Sequence, residues 1–359
     1  MEKNKKARLI AFYLPQFHPI PENDEWWGKG FTEWTNVRKT RPLFKGHYQP
    51  IEPGEFGYYD LRDPRIRKIQ AETAEKYGIE GFCYWHYRFE DGKRLLEMPF
   101  NEVLKTGEPD FPFCLGWANE TWKGLPHGLK NKKNVLIEQK YSGVNDYEAH
   151  FYEVLPALVD KRYITVDKKP LFLIYKPFIN KELKVFIETW RNLAIRNGLP
   201  GIHFVGHVIK SGQIKSKDKF GYDSLNISRL YDIPILFKIY KRILKDIFNV
   251  PVRYKYKTAV NFWLLRNKEK EEFYFPTVVP NWDHSPRSGR NAVILHDSNP
   301  DIFKEHLRKA VESVKEKQEE HRIIFLKSWN EWGEGNYLEP DAKYGYRYLE
   351  KIKEVLQSE

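Results

Sequence analysis

Cysteine is nearly absent: Cys83 and Cys114 are the only two in 359 residues. That excludes a disulfide-stapled scaffold. Both lie in apolar, strand-like stretches and read as buried free thiols of a reducing cytoplasm. No run of eighteen apolar residues occurs, which excludes a membrane-spanning helix. No glycine-rich nucleotide or phosphate loop follows an apolar run. There is no G-x-S-x-G for a serine nucleophile and no His-Glu-x-x-His zinc pair. The Asp-x-Asp clusters that hold a metal for nucleotide sugars are missing too. His18, His86 and His207 follow or end strand-like runs, where hydroxyl recognition suits them as well as metal ligation, so no metal and no cofactor is expected. The N-terminal Met1-Glu2-Lys3-Asn4-Lys5-Lys6 leads into a short apolar run, Ala7 to Leu14, with no small-residue cleavage site, so no signal peptide is expected.

Aromatic and basic residues, by contrast, are abundant. Aromatics make up 16% of the chain, with 11 Trp, which suits a carbohydrate enzyme or a large core. The net charge of +11 allows nucleic acid, an anionic membrane or an anionic polymer as partner. No nucleic-acid motif accompanies it, so no nucleic acid is expected. The excess concentrates between Lys210 and Glu272, with fifteen Lys and Arg against seven acids. Within residues 232–250, Leu236, Ile239, Tyr240, Ile243, Leu244, Ile247 and Phe248 recur at helical spacing, with Lys238, Lys241, Arg242 and Lys245 between them. Such a helix suits peripheral contact with the anionic inner-membrane surface, on a protein otherwise expected in the cytoplasm. The alternative is a barrel helix whose apolar stripe faces the sheet.

Short β-rich runs alternate with amphipathic segments. Expected strands are Leu9–Leu14, Gly81–Trp85, Pro112–Trp117, Pro170–Tyr175, His203–His207, Asp223–Ile227, Thr277–Asn281 and Ile323–Ser328. Expected helices include Pro64–Lys76, Gly92–Lys105, Asp146–Leu158, Lys181–Arg196, Pro300–Lys317 and Lys343–Leu356. Eight strands alternating with helices predict an α/β fold, one (β/α)8 TIM barrel spanning residues 1–359. Long loops follow strand 1 and separate strands 6 and 7, the latter holding a basic amphipathic insertion at 228–275. A doubly wound open sheet is the alternative.

The strand ends carry the chemistry. The first runs into His18 and a long loop with Glu33 and Trp34. The second gives Trp85, His86 and Tyr87, and the third Trp117, Asn119 and Glu120. Tyr175 ends the fourth, Asn281, Trp282 and Asp283 the seventh, and Trp329, Asn330, Glu331, Trp332 and Glu334 the eighth. Polar and aromatic groups at the C-terminal rim are how a barrel presents a site. Paired acids suit acetal cleavage, and flat rings pack on the C–H faces of pyranoses. A plain packing corner would use the same residue types. Glu33 among rings needs either a base or a hydroxyl-rich ligand beside it.

The runs Ala11-Phe12-Tyr13-Leu14-Pro15-Gln16-Phe17-His18, Trp26-Trp27-Gly28-Lys29-Gly30-Phe31-Thr32-Glu33-Trp34, Gly46-His47-Tyr48-Gln49-Pro50, Gly57-Tyr58-Tyr59-Asp60-Leu61, Gly81-Phe82-Cys83-Tyr84-Trp85-His86-Tyr87 and Trp117-Ala118-Asn119-Glu120, with the final acid motif, resemble the WbsX-like glycosyltransferases of bacterial polysaccharide and O-antigen gene clusters. That family is similar in turn to glycoside hydrolase family 99, the endo-α-mannanases, which are (β/α)8 barrels. The shared element is Asn330-Glu331-Trp332-Gly333-Glu334-Gly335 with a further acid, Glu339. The resemblance implies retention through a 1,2-anhydro sugar, with Glu331 as base toward the 2-hydroxyl and Glu334 as acid/base. The expected substrate is an oligo- or polysaccharide of the bacterial surface. Two other readings stay open: a glycosyltransferase fed by a nucleotide or lipid-linked sugar, and a non-catalytic glycan-binding barrel.

Overall fold

Eight apolar runs close into a cylinder: β1 (Arg8–Tyr13), β2 (Gly81–Arg88), β3 (Phe113–Trp117), β4 (Lys169–Ile174), β5 (His203–Val208), β6 (Ser224–Ile227), β7 (Tyr274–Val278) and β8 (Ile323–Leu326). Each pairs in parallel with the next, and β8 closes on β1 in the register Arg8↔Ile323 to Ala11↔Leu326. With helices outside, this is the expected (β/α)8 barrel, seen in a computed structural model that describes residues 6–124 and 135–358. The charged stretch at residues 1–5 and the side chains of Tyr240, Leu244 and Phe248 lie outside the described residues.

Local chemistry sets the helix starts. Asp63 caps Pro64–Lys76 by accepting from the Arg65 amide, and Asn299 caps Pro300–Val314 by accepting from Asp301 and Ile302. Each is followed by proline at the first helical position, where no amide hydrogen is missed. Inside the cylinder Phe12 stacks on Trp85 at 4.8 Å and on Phe325 at 5.2 Å, with His207 edge-on at 5.5 Å. Cys83 and Cys114 sit opposite each other in the β2–β3 register as buried free thiols.

Several boundaries move. β2 runs on to Arg88 and turns back to pair with Arg94–Leu95, so the following helix begins only at Met98. β7 starts at Tyr274 and ends at Val278, and Trp282–Asp283 joins another sheet. There Val252–Lys255, from the basic insertion, pairs in parallel with Val293–His296, which pairs antiparallel with Trp282–Asp283. The insertion is therefore stitched to the loop after β7. Helices also form where a loop was expected, at Pro21–Trp27 and Glu33–Lys39, and the amphipathic helix expected within residues 232–250 forms at Ile235–Phe248.

Candidate active site

Strand alternation decides which rim residues meet. On β2, Trp85 and Tyr87 face inward, while His86 turns out to hydrogen-bond His150 at 2.9 Å and Arg88 turns out to Asp146 and Glu153. Trp117, at the end of β3, also faces out, packing on His150 and Phe186. Past β8, Lys327 points into the barrel mouth and Trp329 packs outward on Phe82.

A cavity of about 410 Å³ opens at this mouth. Of the expected residues it gathers Glu33, Trp85, Tyr87, Glu120, Tyr175, Glu331 and Glu334. The volume suits a small-molecule or glycan subsite. Its indoles are Trp27, Trp85 and Trp122. Buried Glu331 accepts from the Ser328 hydroxyl at 2.8 Å and lies 3.7 Å from the Lys327 ammonium. Arg287 donates from Nη1 to Glu334 at 2.6 Å and from Nε to Glu33 at 2.9 Å. Asn336 donates to the other Glu334 oxygen at 3.2 Å, and the His284 ring is 3.7 Å away.

The two acids are pushed apart. Burial, with Glu334 beside it, raises the Glu331 carboxyl. Burial would raise Glu334 as well, but Arg287, Lys327 and His284 outweigh it and hold that carboxyl at about 2. Arg287, although partly buried, is kept protonated by Glu33 and Glu334.

This shift is also a stability term. Glu334 titrates near 4.5 without its partners and at about 2 in the fold, so between those values the unfolded chain binds more protons. Stability therefore rises with pH across that window and is lost as pH falls through it. Arg287→Gln is expected to flatten this acid-side slope, reducing the loss by at most about 3 kcal/mol, because Lys327 and His284 still act on Glu334. Urea unfolding followed by tryptophan fluorescence from pH 5 downward measures it; parallel slopes in the two proteins would refute the assignment.

The remaining expected site residues build the frame and do not line the cavity. Asn330 clamps β8 to β1, accepting from the Leu14 amide at 2.7 Å and donating to the Leu14 carbonyl at 3.0 Å. Trp332 stacks on Tyr337 at 3.9 Å and packs against Trp34 at 5.4 Å. Its indole donates to Glu339, which also takes the Tyr59 hydroxyl and the Gln70 amide. Burial pushes Glu339 up to about 7. Asn119 ties the β3 end to the Lys176 backbone. His18 is buried on the Pro15 carbonyl, and Trp282 stacks on His284 at 5.9 Å. Asp283 accepts from His47 and Gln49, and with Asn281 it lines a separate cavity of about 270 Å³. His18, His86 and His207 each have a different partner, and no group of three ligands suited to a metal occurs among the described residues.

Sequence reasoning missed Arg287, His284, Lys327 and Trp122. The signal for Arg287 was Glu33 itself, a carboxylate among rings that needed a base. Lys327 was legible from alternation, two residues beyond the inward-facing Phe325.

Known proteins extend the reading. In structure, the chain is similar to a glycoside hydrolase-like protein, with a TM-score of 0.62 at 16% identity, covering 100% of this chain and 96% of that one. It is also similar to the GH99 endo-alpha-mannosidase from Bacteroides thetaiotaomicron, with a TM-score of 0.55 at 15% identity, covering 97% and 96%. Those likenesses establish the barrel. In sequence it is 37% identical over 353 residues to WxcX of Xanthomonas campestris pv. campestris (strain ATCC 33913), a protein named as uncharacterized, covering 98% of this chain and 50% of the relative. The chain thus spans about half the length of the curated relatives it matches. The family profile described as Glycosyltransferase WbsX matches residues 9–352. On that match over nearly its whole length, the chain belongs to the WbsX glycosyltransferase family.

Proposed function

We propose that the chain breaks or transfers a glycosidic bond in a bacterial surface polysaccharide, with retention through a 1,2-anhydro sugar. The observation that carries this is a carboxylate pair, buried Glu331 and part-buried Glu334, facing one indole-lined cavity. Ionised Glu331 takes the proton of the sugar 2-hydroxyl, and that oxygen bonds to the anomeric carbon as the glycosidic bond breaks. The leaving oxygen takes a proton from Glu334. Glu334 then deprotonates the acceptor, which opens the three-membered ring, and the 2-oxygen recovers its proton from Glu331. A base whose acidity lies nearer neutrality than an ordinary carboxylate serves the first step well.

The acid step makes a demand on Arg287. In the free site it holds Glu334 ionised, so an incoming substrate must draw the guanidinium toward Glu33 before Glu334 can carry a proton. The same pair favours a second reading. Arg287 and Lys327 would stabilise a departing phosphate, which needs no proton, as in transfer from a nucleotide or lipid-linked sugar.

Incubation with bacterial surface polysaccharides and, separately, with nucleotide sugars tests both. Fragmentation or re-linking of the glycan with retained anomeric configuration is expected, and it disappears in Glu331→Gln. Nucleotide-sugar turnover without glycan cleavage would replace this reading with the transferase one. Glycan binding with neither reaction would sink both in favour of a binding barrel.

A further inference from the structure

The helix Ile235–Phe248, in the insertion between β6 and β7, turns its apolar stripe away from the barrel. Ile235, Ile239, Ile243 and Ile247 recur every fourth residue, so they share one face with Leu236. Their exposures are 66%, 52%, 52% and 66%, and that of Leu236 is 76%. A barrel helix would bury this face. Aliphatic residues left in water at such density mark an interaction surface.

The chemistry of the partner follows from the charges. The helix carries four basic residues, Lys238, Lys241, Arg242 and Lys245, against the single acid Asp246, which lies 3.9 Å from Arg242. At 100° per residue, Lys238, Arg242 and Lys245 form a band along one edge of the isoleucine stripe. A second copy of this chain would bring two such bands together, at a repulsive cost. Among the described residues the stripe is aliphatic, Phe237 turning instead onto Trp263 at 6.2 Å, so it lacks the aromatic anchors that dominate protein interfaces. An anionic bilayer meets both demands, because acyl chains take the isoleucines while headgroups take the cations.

We infer that residues 235–248 seat this protein on an anionic lipid surface, with the isoleucine stripe in the acyl boundary and the basic band among the headgroups. The inference goes beyond the catalytic reading and stands without it. It also has a spatial consequence. Lys245 bonds Asn291 at 3.1 Å and Arg290 bonds the Asn249 carbonyl at 2.9 Å, so the helix is fastened to the loop that supplies Arg287 to the site. A seated helix therefore brings the site-bearing loop to the lipid surface.

Co-sedimentation of the intact chain with vesicles tests this, comparing phosphatidylglycerol–phosphatidylcholine mixtures with pure phosphatidylcholine at low and physiological salt. Binding to the anionic vesicles is expected to exceed binding to the neutral ones at least tenfold and to fall with salt. Ile239→Asp/Ile243→Asp, on an exposed face where folding is not at stake, should abolish binding at every salt. Changing Lys238, Arg242 and Lys245 to Gln should leave only weak, salt-independent binding. No sedimentation with anionic vesicles at low salt overturns the inference, as does equal binding by the aspartate variant. Self-association that the aspartate variant loses, without vesicle binding, overturns it in favour of an interface between copies.

Discussion

Glu331→Gln is expected to lower kcat/KM by roughly 10²–10⁴-fold on every donor, whereas Glu334→Gln should do so only on donors with a poor leaving group. The reason is a division of labour between neighbouring carboxylates. The glutamine at 331 can still accept from Ser328, but it cannot take a proton from a sugar hydroxyl, and no leaving group repairs that. The glutamine at 334 removes only the proton delivered to the departing oxygen. A glycosyl fluoride needs no such proton, so on that donor the Glu334 variant should approach the parent rate for the first step. Equal damage from Glu334→Gln on fluoride and natural glycan would remove the acid from the scheme. Recovery of Glu331→Gln on the fluoride would remove the base. If the phosphate-leaving reading holds instead, Arg287→Gln should be the more damaging change on a sugar phosphate, because the cation and not the proton carries the departing charge.

The barrel itself was legible because its signal is redundant. Eight apolar runs each bury nearly all their residues, and a miscounted end at one of them leaves the count of strands intact. The site was legible only in part, and strand parity explains most of the gap. Reading β2 as ending at Trp85 made Trp85, His86 and Tyr87 equal members of a rim. With the strand running to Arg88, parity sends Trp85 and Tyr87 to the cavity and His86 to the helices. The same holds for Trp117, which proximity to a strand end recommended and side-chain direction removed.

The loop after β7 failed for a different reason. Asn281, Trp282 and Asp283 looked like the rim of that strand, but the strand stops at Val278, and Trp282 and Asp283 enter the small sheet formed with the insertion. The groups that reach the acids, His284 and Arg287, come from the cap and body of the four-residue helix just beyond. No periodicity marks so short an element. Its placement depends on long-range pairing between Val252–Lys255 and Val293–His296, and nothing in either segment alone announces that. Glu339 sits between these cases. Its place after the acid pair of the motif was readable, yet its contact with Trp332, Tyr59 and Gln70 required the fold.

The second glutamate of the motif owes its position to the glycine before it. A methyl group at Gly333 would lie 1.5 Å from Glu33 Oε1 and 3.2 Å from Arg287 Nε. Glu33 is buried, so its carboxylate can yield only by breaking its bond to Arg287. Gly333→Ala should therefore leave the guanidinium with Glu334 alone, which tightens the grip that must be released for proton transfer. Breaking a fully buried ion pair costs roughly 3–5 kcal/mol, an upper bound for this part-buried one, and a displacement near 1 Å at a reacting group costs about 10²-fold in rate. A drop in kcat/KM of that order is expected, along with a lower Tm. Steric damage from the methyl itself is separable by a double-mutant cycle. In a Glu33→Ala background the space that the methyl needs is already vacant, so adding Gly333→Ala there should change rate and Tm little. If the alanine is as harmful without Glu33 as with it, the contact between Gly333 and Glu33 does not set the geometry of the acid. Strong non-additivity would instead mean that a residue of the first loop, through Arg287, fixes how readily Glu334 takes up its proton.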